Sequence, residues 1–330
     1  MDSSHDGSSA VAKQQHVPVL LHSVLAFLDP RPGDFIIDGT VDGGGHAREI
    51  LGRITKTGLL LGTDWDEALL AECKARLNGY KNAVLAHGNY ADLAEIMATN
   101  AASGGPLEGK GKADGLLIDL GFSSEQLAAS GRGFSFEEAH KDEPLLMTYD
   151  DSRTPVSAIL RETDEKELAN IIFELGGERM SRQIAKAIKD RLRKSKDQRR
   201  GSKGQTQSSG RIETSGELAD IVRGAVSRGY EHGRIDAATR TFQALRIYAN
   251  GELENLEKLL ASLPEIVKPG GKAAIITFHS LEDRIVKNAF RTMAKETNAV
   301  LITKKPIPAS REEIIKNPRS RSAKLRVIQL

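Results

Sequence analysis

Asp34-Phe35-Ile36-Ile37-Asp38-Gly39-Thr40-Val41-Asp42-Gly43-Gly44-Gly45-His46 is the stretch that decides the fold. A short apolar run, Asp34 to Asp38, ends in an acid. The glycine cluster Gly43 to Gly45 follows at once, and His46 to Ile54 resumes as a helix. A strand, a glycine-rich turn and a helix in that order open a nucleotide-cofactor fold, because glycine lets the backbone approach a ligand closely and take positive φ. A dinucleotide site would need G-x-G-x-x-G, and this loop does not supply it in phase. That counts against a nicotinamide dehydrogenase and leaves open a nucleoside cofactor without a pyrophosphate.

Outward from this unit the pattern repeats. Gly58 to Thr63 and Ala83 to His87 read as further buried strands, followed by helices over Asp66–Leu77 and Asp92–Asn100; Asp114 to Leu120 is a fourth strand. Upstream, His16 to Leu28 is an amphipathic approach helix. Short apolar runs alternating with helices predict an α/β fold with a parallel sheet covered on both faces. Asp64, Tyr90 and Asp119 all fall at the carboxyl ends of predicted strands, where open α/β sheets bind ligands. An acid at position 64 can accept ribose hydroxyls or cap the next helix, and Tyr90 can stack on adenine. S-adenosylmethionine, which lacks a pyrophosphate, suits such a site.

From Ser130 to about Ile235 no strong strand is found; Glu165–Gly176, Arg179–Leu192 and Glu217–Val226 look helical. This predicts an inserted helical domain over 130–235, with a flexible basic loop near 195–209 whose composition buries too little to order itself. The core is expected over 16–129 and 236–330, after a disordered tail over 1–15. Thr239 to Leu260 reads as one long helix, Pro269-Gly270-Gly271 as a turn and Lys272 to Phe278 as a fifth strand. A helix over Leu281–Lys295 and closing strands at Ala299–Lys304 and Leu325–Leu330 complete the chain.

The chain has 330 residues, 39% hydrophobic and 28% charged, as in ordinary globular proteins. No apolar run suits a membrane span, and the polar N-terminus resembles neither a signal nor a transit peptide, so a cytoplasmic location is expected. The single cysteine, Cys73, excludes an internal disulfide framework and reads as a buried structural thiol. The net charge of +2 hides segregation: Lys189–Arg211 carries +7 and Lys304–Arg326 carries +6. Basic segments on an acidic body suggest a polyanionic partner, most often nucleic acid.

These residues match a known family. HVPVLL (16–21), DGTVDGGGHA (38–47), DLGFSSEQL (119–127), RGFSF (132–136), GGERMSRQIAKAI (176–188), TRTFQALRIYANGELE (239–254), FHSLEDRIVK (278–287) and NPRSRSAKLRV (317–327) run in family order. The chain resembles the ribosomal RNA small subunit methyltransferase H family, also called MraW. The resemblance implies a Rossmann-like S-adenosylmethionine-dependent methyltransferase core with an inserted helical domain. It implies N4-methylation of a cytidine in the decoding region of 16S-type rRNA, within the small ribosomal subunit. It also implies cofactor contacts from Gly44, Gly45, His46, Asp64, Tyr90 (where Phe is usual), Asp119 and Gln126. Asp42 stands where glycine is usual and Ala47 where Ser is usual. The family's PLDMRMD reads Pro144-Leu145-Leu146-Met147-Thr148-Tyr149-Asp150.

The N4 amine of cytosine is a poor nucleophile because its lone pair conjugates with the ring. Acceptors that favour a pyramidal nitrogen, together with in-line placement, would help it. Asp119, with the Leu120-Gly121 backbone carbonyls, is the expected acceptor cluster, though a pure cofactor ligand is an equal alternative. His279 and Glu282 are further catalytic candidates, and His279 can equally cap or hold its loop. Arg240, Arg246, Arg319, Arg321, Lys324 and Arg326 are candidate RNA contacts; ordinary surface ion pairing is the bland alternative. No metal and no membrane partner are expected, and homodimerisation is left open. A rival function is a non-catalytic S-adenosylmethionine-binding ribosome-assembly factor of the same fold.

Overall fold

Four apolar runs, too short for buried helices, become parallel strands: β1 (Phe35–Asp38), β2 (Leu59–Asp64), β3 (Ala83–His87) and β4 (Ala113–Asp119). The computed structural model describes residues 18–102, 104–120, 130–198 (main chain alone from 194), 210–227, 230 and 236–330. The tail, Gln126, Gly121 and positions 199–209 of the basic tract lie outside the described residues.

Helix α1 (Leu21–Leu28) precedes β1, and α2 (Gly45–Ile54), α3 (Glu67–Arg76) and α4 (Leu93–Asn100) follow the first three strands. The approach helix is shorter than the sequence predicts: Leu20, at its N-cap, is left-handed (φ 55°), which fixes the start at Leu21. After β4 come α5 (Val156–Glu162), α6 (Glu165–Gly176), α7 (Ser181–Gln198), α8 (Ser215–Ala225) and α9 (Ala238–Asn250). Helix α7 runs into what reads as loop, through residue 198. Helix α10 (Glu252–Ile266) leads into β5 (Val267–Thr277), then α11 (Ser280–Glu296). The two-residue strands β6 (Val300–Leu301) and β7 (Ile307–Pro308), helix α12 (Arg311–Lys316) and β8 (Lys324–Gln329) finish the chain.

The sheet order is β3-β2-β1-β4-β5-β8-β6, with β7 also on β8. Strands β1 to β5 pair in parallel, whereas β8 is antiparallel to β5, β6 and β7. Alternation along each strand sends residues to opposite faces. Ile36, Leu60, Leu117, Ala274 and Ile276 join one apolar cluster; Ile37, Leu61, Leu116, Ile118, Ala273 and Ile275 join the other. Each fully buried Leu or Ile contributes about 1.5–3 kcal/mol of transfer free energy, so this double layer is what holds the sheet together.

A third cluster, Leu145 to Ala249, forms among α5 to α9 without strand residues. The predicted single helix over Thr239–Leu260 is two helices. Gly251, at φ 59°, stops α9 and starts α10, and its backbone N–H caps the Ile247 and Tyr248 carbonyls. The break has a packing purpose. Phe242, Leu245 and Ala249 face the third cluster, while Leu256, Leu259, Leu260 and Leu263 face the sheet. The predicted turn at 269–271 falls within β5, beside a register shift against β4 between Ala113 and Gly115. The predicted strand at 299–304 shrinks to β6.

Candidate functional site

Strand β1 lies between β2 and β4, so the direction of strand succession reverses there, and such a switch point opens a crevice beyond the carboxyl ends. The loop after β1 is sewn to its neighbours. Gly39 N–H donates to the Leu117 carbonyl (2.9 Å) and Val41 N–H to the Thr63 carbonyl (2.9 Å). The Asp119 N–H donates to Thr40 Oγ1 (2.7 Å), tying the end of β4 to the same loop. Asp42 takes the left-handed conformation (φ 50°) that its glycine-replacing position demands, and its N–H donates to Asp64 Oδ2 (2.9 Å). Asp64 Oδ1 accepts from the Asp66 N–H (3.0 Å), while Asp66 itself caps α3.

A cleft opens here, beyond the carboxyl ends of β1, β2 and β4. It is lined by Gly39, Thr40, Asp42, Asp64, Trp65, Tyr90, Asp119, Leu120, Arg132, Phe134, Tyr149, Glu252 and Glu282, among others. With Asp66, the lining carries six carboxylates and one guanidinium, Arg132. Burial, offset in part by the backbone N–H groups of Asp66 and Asp42, pushes the Asp64 carboxyl up to about 7. Behind the loop, burial does the same to Asp38, and its Oδ2 has no hydrogen-bond partner among the described residues. Such a donor set fits a cationic, hydroxyl-bearing ligand and repels a pyrophosphate.

Of the residues chosen from sequence, Asp64, Tyr90, Asp119 and Glu282 come together on this lining. Gly44, Gly45 and His46 do not line it. A Cβ on Gly44 would meet Cys73 Sγ at 3.0 Å, and one on Gly45 would meet Pro18 Cγ at 2.5 Å. The buried His46 ring hydrogen-bonds the Val19 carbonyl through Nε2 (3.0 Å), with Nδ1 4.0 Å from Asp119 Oδ2. Cys73 is buried and its thiol is pushed up to about 12, first by desolvation, as suits a structural residue. His279 caps α11: its Nδ1 accepts from the Glu282 N–H (3.4 Å), and Glu282 Oε2 accepts from the His279 (3.2 Å) and Phe278 (2.8 Å) N–H groups.

Sequence reasoning misses an aromatic row. The Trp65 and Tyr149 rings lie 4.7 Å apart, and Tyr149 stacks on Phe134 at 5.4 Å; Tyr90 tilts against Trp65 at 6.3 Å. Trp65, the single tryptophan, stands directly after Asp64, and that adjacency was the available signal. Tyr149 and Phe134 reach the cleft only through the folding of the segment after β4. The altered segment also has a structural account: Arg132 donates to the Thr148 carbonyl (2.6 Å) and Oγ1 (2.9 Å), so threonine is accommodated there.

Two of the expected phosphate contacts are internal, which corrects the sequence reading. Arg246 grips Glu252 through two hydrogen bonds, and its side chain is only 18% exposed. Arg326 is buried with its Nε on Asp283 Oδ1 (2.7 Å). A buried guanidinium committed to a carboxylate is not presented to RNA. Lys324 lies 3.5 Å from the same Asp283, and Arg240 lies 3.6 Å from the buried Glu178. Arg321 is exposed and Arg319 partly so. Glu252, His279 and Glu282 offer ligand atoms within 4.8 Å of one another, a spacing that a metal ion could use, but the Arg246 guanidinium already neutralises Glu252. No helix among the described residues is long and apolar enough to cross a membrane.

A reversing parallel sheet with an acid-lined cleft at its switch point defines a Rossmann-like fold suited to a nucleoside cofactor. The profile described as the MraW methylase family matches residues 13–330, and the chain belongs to that family. It is 40% identical over 332 residues to the Ribosomal RNA small subunit methyltransferase H of Syntrophus aciditrophicus (strain SB), covering 95% of this chain and 97% of that one. It is 40% identical over 323 residues to the protein of the same name from Synechococcus elongatus, covering 98% and 97%. Among solved structures, a putative rRNA-methylase from Clostridium thermocellum aligns over 94% of each chain at 8% identity, with a TM-score of 0.42.

Proposed function

We propose that this protein methylates small-subunit ribosomal RNA, and that its target is the exocyclic N4 amine of a cytidine in the decoding region. Its relatives carry the name of that activity on the small subunit. The observation that carries the finer reading is the convergence of Asp64, Asp119, Glu252 and Glu282 on one cleft at the switch point. Carboxylates suit both a cationic nucleoside cofactor and an amine.

Bound in the cleft, S-adenosylmethionine supplies an electrophilic methyl on a sulfonium centre. Asp64 would accept hydrogen bonds from the ribose hydroxyls and Tyr90 and Trp65 would flank the adenine, while Gly44, Gly45 and His46, packed behind the lining, would hold the loop in place. Asp119, beside the Leu120 carbonyl, accepts one hydrogen of the target amine. It localises the amine's lone pair towards the methyl and holds the proton that the amine gives up. Glu282, braced by the His279 cap, lies on the same wall. The helical segment 130–235, its apolar cluster completed by α9, forms an inserted unit that helps enclose the base, which must leave its stack to enter. Arg240, Arg319, Arg321 and Lys324 contribute to the RNA-facing charge.

The test is methyl transfer from labelled S-adenosylmethionine to small subunits lacking the modification, followed by nucleoside analysis. Label recovered as N4-methylcytidine is expected. Bound cofactor without transfer would favour the assembly-factor alternative. Asp119→Asn is expected to lower turnover with little loss of cofactor affinity; unchanged turnover would remove the acceptor role.

A further inference from the structure

Glu252, the first residue of α10, sits on the cleft wall with Asp119 and Glu282. It is held by unusual means. Arg246, one turn and a half earlier, reaches across the Gly251 break to donate from Nε to Oε1 (2.9 Å) and from Nη2 to Oε2 (3.1 Å). Tyr149 OH donates to Oε1 (2.6 Å). The Tyr149 ring is fixed in turn between Trp65 and Phe134, and its main-chain N–H donates to Asn250 Oδ1 (3.0 Å). Burial and the nearby Glu252 keep the phenol protonated, so it remains a donor.

An ionised carboxylate has about four acceptor sites. Tyr149 and Arg246 fill three, which leaves one acceptor site on Oε2 open to a further donor. Glu282 is fixed likewise, with Oε2 on two backbone N–H groups. One oxygen from each glutamate lies within 4.8 Å of the other, so this wall offers an entering base edge hydrogen-bond acceptors. An amine hydrogen is welcomed there. A carbonyl oxygen at the same position would face two carboxylates.

We propose that Glu252 reads the target base by accepting a hydrogen from its exocyclic amine, excluding the keto-bearing uracil, and that Tyr149 and Arg246 are its positioning residues. This rests on the reading that the substrate is an amine-bearing nucleobase in RNA.

The test uses the full chain with S-adenosylmethionine and unmodified small subunits, comparing the intact protein with Tyr149→Phe and Glu252→Gln. Three quantities are read: kcat/KM for methyl transfer, cofactor Kd, and inhibition by target-site RNA carrying uridine in place of cytidine. Tyr149→Phe keeps the stacked ring and is expected to lower kcat/KM about tenfold with cofactor Kd unchanged. Glu252→Gln, whose amide can turn a donor towards the base, is expected to lose on the order of a hundredfold and to bind the uridine RNA more tightly than the intact protein does. If Glu252→Gln fails to fold because Arg246 is left under-partnered, Tyr149→Phe decides alone. Methyl transfer by the intact protein together with unchanged kcat/KM and discrimination in the folded variants would overturn the inference and leave the function standing. A loss confined to cofactor Kd would do the same. No N4-methylcytidine from the intact protein would remove both.

Discussion

Burial makes a carboxylate costly to ionise, and Asp38 and Asp64 are both pushed up to about 7 by it. Their folded values lie above the ordinary 3.8, so the stability linked to them is complete below that value and is lost as pH rises through about 7. Thermal melts of cofactor-free protein are therefore expected to fall from about pH 5 to about pH 8. Asp38→Asn should flatten that fall and raise the midpoint at the alkaline end; a parallel slope in the variant would show that Asp38 does not carry it. A cationic ligand reverses the preference, since it favours the ionised acids. Asp283 shows the opposite balance. Burial alone would raise its carboxyl, but Arg326 and Lys324 hold it below the usual range. Arg326→Ala is expected to cost about 3–5 kcal/mol in urea unfolding, because it strips a part-buried carboxylate of its main partner. RNA affinity per folded molecule should be unchanged.

At the scale of elements, Gly251 joins two helices that serve different cores. Gly251→Ala places a Cβ in the left-handed region, 3.4 Å from Arg153 Nη1, and is expected to lower stability by about 1–2 kcal/mol in urea titration. It should also weaken methyl transfer by disturbing Glu252. Phe242, Leu245, Leu253, Leu256 and Leu260 keep helical spacing across this point, which is why the sequence predicts a single helix there. Periodicity records which residues are apolar and does not register the φ of one glycine. The Asn250-Gly251 pair was the legible stop signal. The parallel strands were readable because each is an apolar run ended by an acid or glycine, and Asp64, Tyr90 and Asp119 were readable because strand ends are where such sheets bind. Glu252, Tyr149 and Phe134 were not readable as lining, since their place depends on how the segment after β4 folds back. The buried arginines failed for a related reason: charge density along a sequence does not say which cations have internal partners.

Across the molecule, the basic surface that remains includes Lys304, Lys305 and Arg321, all exposed. Replacing these three by alanine is expected to weaken binding of small-subunit RNA at every sequence tested. The slope of log affinity against log salt should fall by on the order of one for each cation that meets a phosphate. An unchanged slope in filter-binding titrations would place the RNA elsewhere. The segregated charge of the chain, acidic at the cleft and basic outside it, would then draw RNA in while leaving the site itself selective for donors.

Strand β8 is translated after every strand it pairs with, yet it bonds to β5, β6 and β7. Until residues 324–329 emerge from a translating ribosome, β5 presents a bare edge of unpaired amides and carbonyls, the kind of edge that recruits other chains. The nascent protein thus depends on β8 to silence its own stickiness. A message cut short before Lys324 should yield aggregates rather than a weakened enzyme.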